Sequence, residues 1–305
     1  MAKLKASPSG PTTSPPGTVT PGAGTVTPGA GTGAPLQERL AAVSWPADGA
    51  SAADISGFGV VYGPGATRPV PIASVAKVMT AYVVLHDHPL PAGGSGPDIA
   101  VQPSEAAAYP SQARAGDSLV PVDAGEMLTE RQALEALLLP SADNMAWILA
   151  RWDAGSQAAF VARMNATARR LGMTDTSYTD PSGLDPSTVS TAADQVRLGL
   201  AAMRVPALAA IAAKPEAVVP VAGVVRNYNT LLGQDGIVGL KTGSMQAAGG
   251  CVVIAAWHTA DAHNTLIVAA TFGQPGTAQT ILPNALHAGQ MLVLALDRAL
   301  GHGRR

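Results

Sequence analysis

The sequence predicts an α+β fold. One antiparallel sheet is assembled from both chain ends and flanked by helices, with an all-helical subdomain inserted between its halves. Three observations predict it. Strand-like runs lie near residues 54–72 and return after Gly236, the stretch between them carries helical spacing, and an amphipathic helix closes the chain. Strands at both ends must meet to bury their apolar faces, and the helices between them then cover the sheet.

The elements follow in order. Leu36, Leu40 and Val43 share one face of a helix over 36–44. Residues 54–62 read as a strand, Gly63-Pro64-Gly65-Ala66 as a turn and 67–72 as a returning strand. Residues 75–86 lack Gly and Pro and read as an apolar helix with Ser74 at its start, where a serine also serves as a cap. Residues 91–123, rich in Gly, Pro, Ser and Asp, read as irregular. Helices are expected over 130–139, 143–151, 157–171, 192–203 and 206–213, with a turn-rich loop over 174–188. Strands follow at 239–242, 250–258 and 264–272, then a helix over 283–300. The chain divides accordingly into a tail over 1–34 and one domain over 35–302. The α/β part of that domain takes about 35–80 and 235–302, and the helical part about 81–234.

Composition bounds the function. Of 305 residues, 47% are hydrophobic and only 13% charged, enough for a large core. The net charge of -2, without a basic run, argues against nucleic acid as partner. The single cysteine, Cys251, lies in an apolar run and reads as a small core residue. No apolar run is long enough to cross a bilayer. The tail holds a tandem Gly-Thr-Val-Thr-Pro-Gly-Ala at 17–23 and 24–30, a composition that cannot bury a core and reads as a disordered stalk. Membrane attachment is therefore expected only through a segment absent from this chain.

Three clusters carry the chemistry. Ser74-Val75-Ala76-Lys77 puts a serine one turn from a lysine, in a chain whose only lysines are Lys3, Lys5, Lys77, Lys214 and Lys241. Residues three apart share a helix face, so Lys77 can act on the Ser74 hydroxyl, a poor nucleophile until a base takes its proton. Ser141-Ala142-Asp143 stands at a helix–helix corner, and Lys241-Thr242-Gly243 on a strand. The Ser74 amide and the Ser244 backbone are candidate oxyanion donors, and Gly243 admits a substrate backbone. Taken singly, each cluster has a plainer reading: an N-cap, a snorkelling lysine, a strand-edge lysine. Their joint order carries the case.

On these residues the chain resembles the penicillin-recognising serine enzymes, most closely the low-molecular-mass D-alanyl-D-alanine carboxypeptidases. Supporting stretches are 72–80, Leu137 to Asn144, Asp180-Pro181-Ser182-Gly183-Leu184, 227–232 and 239–243. The resemblance spans roughly residues 36–300 and implies a β-lactamase/transpeptidase-like fold. It implies Ser74 as acylated nucleophile, Lys77 as its base and Ser141 as proton relay. Lys241, Thr242, Gly243 and Ser244, with Asp143 and Asn144, would bind substrate. The implied reaction removes the terminal D-Ala from a peptidoglycan stem peptide ending in D-Ala-D-Ala, outside the cytoplasm, through an acyl-enzyme that β-lactams also form. No metal and no organic cofactor is called for.

Two departures from that pattern stand out. Asp143 occupies the place of an Asn; an ionised Asp only accepts hydrogen bonds and favours the ammonium form of Lys77, weakening the base. Residues 267–280 hold no basic side chain to help grip a carboxylate. Rival readings stay open: a cell-wall-peptide-binding relative without catalysis, an esterase or cyclase, and a β-lactamase. The last needs an added base, for which Glu216, Asp180 and Asp185 are the candidates. His86-Asp87-His88 reads as a solvated helix end rather than a metal site, and His258 and His263 as surface residues beside a hairpin.

Overall fold

Two apolar layers meet on one sheet. In the computed structural model, which describes residues 34–91, 93–260 and 263–301, strands from both chain ends form a five-stranded sheet in the order β2-β1-β11-β10-β9. Its strands are β1 (Ala50–Ile55), β2 (Gly59–Tyr62), β9 (Ile237–Met245), β10 (Gly249–Ala260) and β11 (His263–Gln274), and all its pairings are antiparallel. Along β10 the side chains alternate. Val252, Ile254 and Ala256 join one core with α1 (Leu36–Ala41) and α9 (Ile281–Leu300), while Cys251, Val253 and Ala255 join the other. Both faces are covered, so the strand reads as a continuous apolar run rather than an alternating one.

The second core is helical. It contains α2 (Lys77–Asp87), α4 (Glu130–Leu138), α5 (Asp143–Ala154), α6 (Gln157–Arg170), α7 (Ala192–Met203) and α8 (Pro206–Ala212). Around these lie α3 (Pro103–Ala115) and three two-stranded pairings: β3 (Val70–Pro71) with β6 (Val189–Ser190), β4 (Asp98–Ala100) with β5 (Met127–Thr129), and β7 (Glu216–Val219) with β8 (Gly223–Arg226). Residues from Leu36 onward gather into one compact unit. Among the described residues, no single helix is long and apolar enough to cross a membrane.

Four expectations differ from the structure. Residues 54–62 are not one strand: they turn at 56–58, with Gly57 in the turn and Gly59 just after it both at positive φ, so β1 and β2 form a hairpin. The return strand shrinks to β3, which pairs with β6 instead of the sheet. The supposedly irregular stretch holds α3, which starts on Pro103, tolerates Pro110 and buries no residue, so it has no apolar stripe to read. His258 is buried, its Nδ1 2.5 Å from Asp297 Oδ1, where β10 packs on α9. The tail expectation falls almost wholly outside the described residues.

Candidate active site

The candidate nucleophile, Ser74, stands on a tight turn rather than at a helix cap. Residues Ala73–Ala76 form one 3-10 turn before α2, and Ala73 has φ +47. Ser74 caps no helix, since α2 begins behind Ala76 without a side-chain cap. Its half-buried hydroxyl instead accepts a hydrogen bond of 2.8 Å from Lys77 Nζ. Glycines let two other segments close on this turn. A Cβ on Gly243 would lie 3.0 Å from the Ser74 nitrogen and 3.1 Å from that of Val75, so this glycine lets β9 reach the turn itself. A Cβ on Gly183, at φ +79, would sit 1.9 Å from the Ala73 carbonyl oxygen.

Lys77 is fully buried and donates to three oxygens: Ser74 Oγ, Asp143 Oδ1 at 2.6 Å and the Ser182 carbonyl at 2.9 Å. One turn further along α2, the Thr80 hydroxyl donates to the Pro181 carbonyl at 2.6 Å. The Asp180–Leu184 loop is thereby fixed to the same helix face that carries the lysine. Asp180 organises the loop from within, its carboxylate accepting from Gly183 N, Ser182 Oγ, Asp185 N and Thr188 Oγ1.

The second cluster sits at the α4–α5 corner. Ser141 has φ +64, and its buried hydroxyl has no partner among the described residues. A donor–acceptor side chain held without a partner in a buried corner is the condition expected of one kept for a ligand or a proton. Asp143, in the first turn of α5, splits its carboxylate between Lys77 and the Ser118 amide, the latter at 3.0 Å. Its own amide donates to the Ser118 carbonyl at 2.7 Å. Asn144 does not share this site. Its Nδ2 donates to the Val120 carbonyl at 2.8 Å and its Oδ1 accepts from the Val120 amide at 3.3 Å. Its side chain holds the 118–120 loop through the Val120 backbone.

Lys241 and Thr242 are buried on β9, and Lys241 Nζ donates to the Thr242 carbonyl at 2.9 Å. Burial pushes the Lys241 ammonium well below the usual lysine range; Lys77 adds to the shift and Asp143 opposes it. Beyond Lys241, exposed Ser244 lines a pocket of about 490 Å³ with Met245, Gln246, Gly276, Thr277, Ala278 and Ile281. No basic residue lines it, in keeping with the bare 267–280 stretch.

The remaining candidates fall elsewhere. Asp185 binds Ser187, whose hydrogen bonds hold its carboxyl below the usual range, and Glu216 pairs with Arg226 on the exposed β7–β8 hairpin. His88 stacks on Trp152 with its Nε2 3.1 Å from Asp153. Burial pushes the Cys251 thiol up to about 12, so it is inert at neutral pH. Among the described residues, no group of three or more His, Cys, Asp or Glu is placed to hold a metal. Motif reading missed the Ser182 carbonyl and the Ser118 amide, because backbone atoms leave no mark on residue identity. The Asp-Pro-Ser-Gly-Leu run was the available signal for the first.

The chain is similar to known proteins in sequence and in fold. The D-alanyl-D-alanine carboxypeptidase family model (Peptidase_S11) matches residues 39–275. A D-alanyl-D-alanine endopeptidase of Pseudomonas aeruginosa is 35% identical over 229 residues, 73% of this chain and 69% of that protein. The D-alanyl-D-alanine carboxypeptidase DacB2 of Mycobacterium tuberculosis is 38% identical over 185 residues; the match takes 58% of this chain and 59% of that protein's length. Among solved structures, the Streptomyces K15 DD-transpeptidase superposes with a TM-score of 0.72 at 23% identity, covering 83% of this chain and 99% of that one. A D-alanyl-D-alanine carboxypeptidase from Mycobacterium tuberculosis H37Rv superposes at 0.70 with 31% identity, covering 85% and 94%. By sequence and by fold, the chain belongs to the D-alanyl-D-alanine carboxypeptidase family of penicillin-recognising serine enzymes.

Proposed function

We propose that Ser74 is the nucleophile through which this chain, a serine-type D-alanyl-D-alanine carboxypeptidase, removes the terminal D-alanine of peptidoglycan stem peptides. The observation that carries the assignment is the 2.8 Å contact between Lys77 Nζ and Ser74 Oγ inside a buried site. An ammonium has three hydrogens and Lys77 has three acceptors, so the charged form is fully satisfied. A neutral amine has two hydrogens, which Asp143 and the Ser182 carbonyl take, leaving its lone pair aimed at the Ser74 hydroxyl. The same geometry serves both forms. The serine proton passes to Lys77 as Oγ attacks the carbonyl of the penultimate D-Ala, and Asp143 steadies the ammonium so formed.

Ser141 then carries a proton to the leaving amine. Lys241 and Thr242 bind the substrate's terminal carboxylate, and the Ser74 and Ser244 amides receive the oxyanion. Water releases the acyl group, and β-lactams acylate the same serine. The reaction belongs outside the cytoplasmic membrane. The 2.6 Å ion pair favours a second reading, a slow or inactive peptide-binding relative, because it holds the proton on Lys77.

Intact mass after incubation with benzylpenicillin, beside Ser74→Ala, decides between them. One penicilloyl adduct on the parent and none on the variant is expected. Absence of any adduct on the parent sinks the enzyme reading.

A further inference from the structure

Helix α3 has 13 residues and buries none of them, so apolar packing does not hold it. What holds it is polar. Glu105, in its first turn, accepts from Arg151 of α5 at 2.6 and 3.1 Å, and Arg151 reaches on to the Ala100 carbonyl at 2.9 Å. The strut spans a gap rather than closing it. A cavity of about 360 Å³ lies between α3, α5 and the start of α6, within the size range of small-molecule sites.

The lining of this cavity selects the ligand. Its only charged side chains, Glu105 and Arg151, neutralise each other, so it offers no free charge to an ion. Trp147, half-buried and one turn before Arg151 on α5, supplies an aromatic, apolar wall. Gln112 and Gln157 supply amides, which both donate and accept. Gln112 Oε1 is buried without a partner among the described residues, an acceptor that a ligand in the cavity would satisfy. A ring with an apolar C–H face and a rim of hydroxyls matches both halves of this lining. That ring is a sugar. A lipid tail would strand the amides, and a phosphate or carboxylate would meet no unpaired cation.

We propose that this cavity binds a neutral sugar unit of the glycan strand to which the stem peptide is attached; the choice of that glycan rests on the carboxypeptidase reading above. Two features tie the cavity to the reaction centre. Asp143, which Lys77 joins to Ser74, shares one face of α5 with Trp147, one turn and about 6 Å along the axis. Asn144, the residue after Asp143, lines the cavity and holds Val120, in the same loop as the Ser118 bonded to Asp143. Three residues of extended stem peptide reach roughly 10 Å, enough to pass from the Asp143 turn to the next. The sugar is held by stacking and hydrogen bonds, and no bond is made or broken there. Binding raises affinity for glycan-bearing substrate and leaves the chemistry at Ser74 alone.

The experiment titrates the parent, Trp147→Ala, Gln112→Ala and Gln157→Ala with the β-1,4-linked disaccharide of N-acetylglucosamine by ligand-observed NMR, with maltose as a neutral sugar from another glycan. The parent is expected to bind the N-acetylglucosamine disaccharide in preference to maltose. Trp147→Ala weakens that binding about tenfold, and each glutamine variant about fivefold, while penicillin acylation keeps the parent's rate. In turnover, the parent shows a lower KM for a disaccharide-bearing stem peptide than for the same peptide without sugar, at equal kcat. The variants erase that difference, whereas a residue that only supports the fold would slow both substrates alike. Gln112 and Gln157 are not buried, so their variants carry the test if Trp147→Ala does not fold. A parent that binds no disaccharide, or glutamine variants that bind it unchanged, overturns the inference; equal binding of maltose overturns the choice of glycan. If the parent takes no penicillin adduct, the carboxypeptidase reading falls, and the titration still decides whether the cavity is a sugar site.

Discussion

At the scale of single residues, one carboxyl group governs the site. Asp143 differs from an amide only in what it can do with hydrogens: it accepts from Lys77 and from Ser118 and donates nothing. Beside a buried lysine the carboxylate favours the ammonium, and the first turn of α5 favours the carboxylate in turn. Acylation needs the neutral amine, so the pair works against the first step. Asp143→Asn removes the charge and keeps the shape. The variant is expected to acylate about tenfold faster at neutral pH. Stopped-flow acylation with a fluorescent penicillin reads the rate. An unchanged rate would mean that Asp143 does not restrain Lys77.

At the scale of elements, α4 brings the Ser141 corner into place, and its start carries a cost. Thr129 and Gln132 form a capping box there. Between them Glu130 is buried, with Oε1 lacking a partner and Oε2 pressed against Gly96, where a Cβ would come within 2.5 Å. Burial pushes its carboxyl from 4.5 to about 7, Arg131 opposing and Asp153 assisting. The sign follows from proton binding. Between these two values the folded chain holds the proton and the unfolded chain has released it, so stability falls as pH rises through that window. Glu130→Gln abolishes the slope. Its stability relative to the parent is expected to be greater at pH 8 than at pH 5, by on the order of 2 kcal/mol in urea melts. Parallel stability curves for parent and variant would refute this account.

At the scale of the whole molecule, the sheet from both chain ends was legible because its two central strands carry apolar runs, at 251–257 in β10 and 266–270 in β11, that neither Gly nor Pro interrupts. The site was legible where chemistry is written in side chains close in sequence, as in Ser74 with Lys77 and Lys241 with Thr242. What joins these clusters spans 66 residues from Lys77 to Asp143 and 105 to the Ser182 carbonyl, contacts that no local pattern encodes. Helix α3 was hidden for the opposite reason: with no buried residue it has no periodicity to read. Every side chain assigned to the site lies between Ser74 and Ser244, and among the described residues the first buried core residue is Leu40. A chain beginning at Pro35 therefore retains each strand of the sheet, both cores and the whole site. Removal of residues 1–34 is expected to leave Tm within about 2 °C and the penicillin acylation rate unchanged. A loss of acylation, or a drop of more than about 4 °C, would place part of that segment against the core or the site.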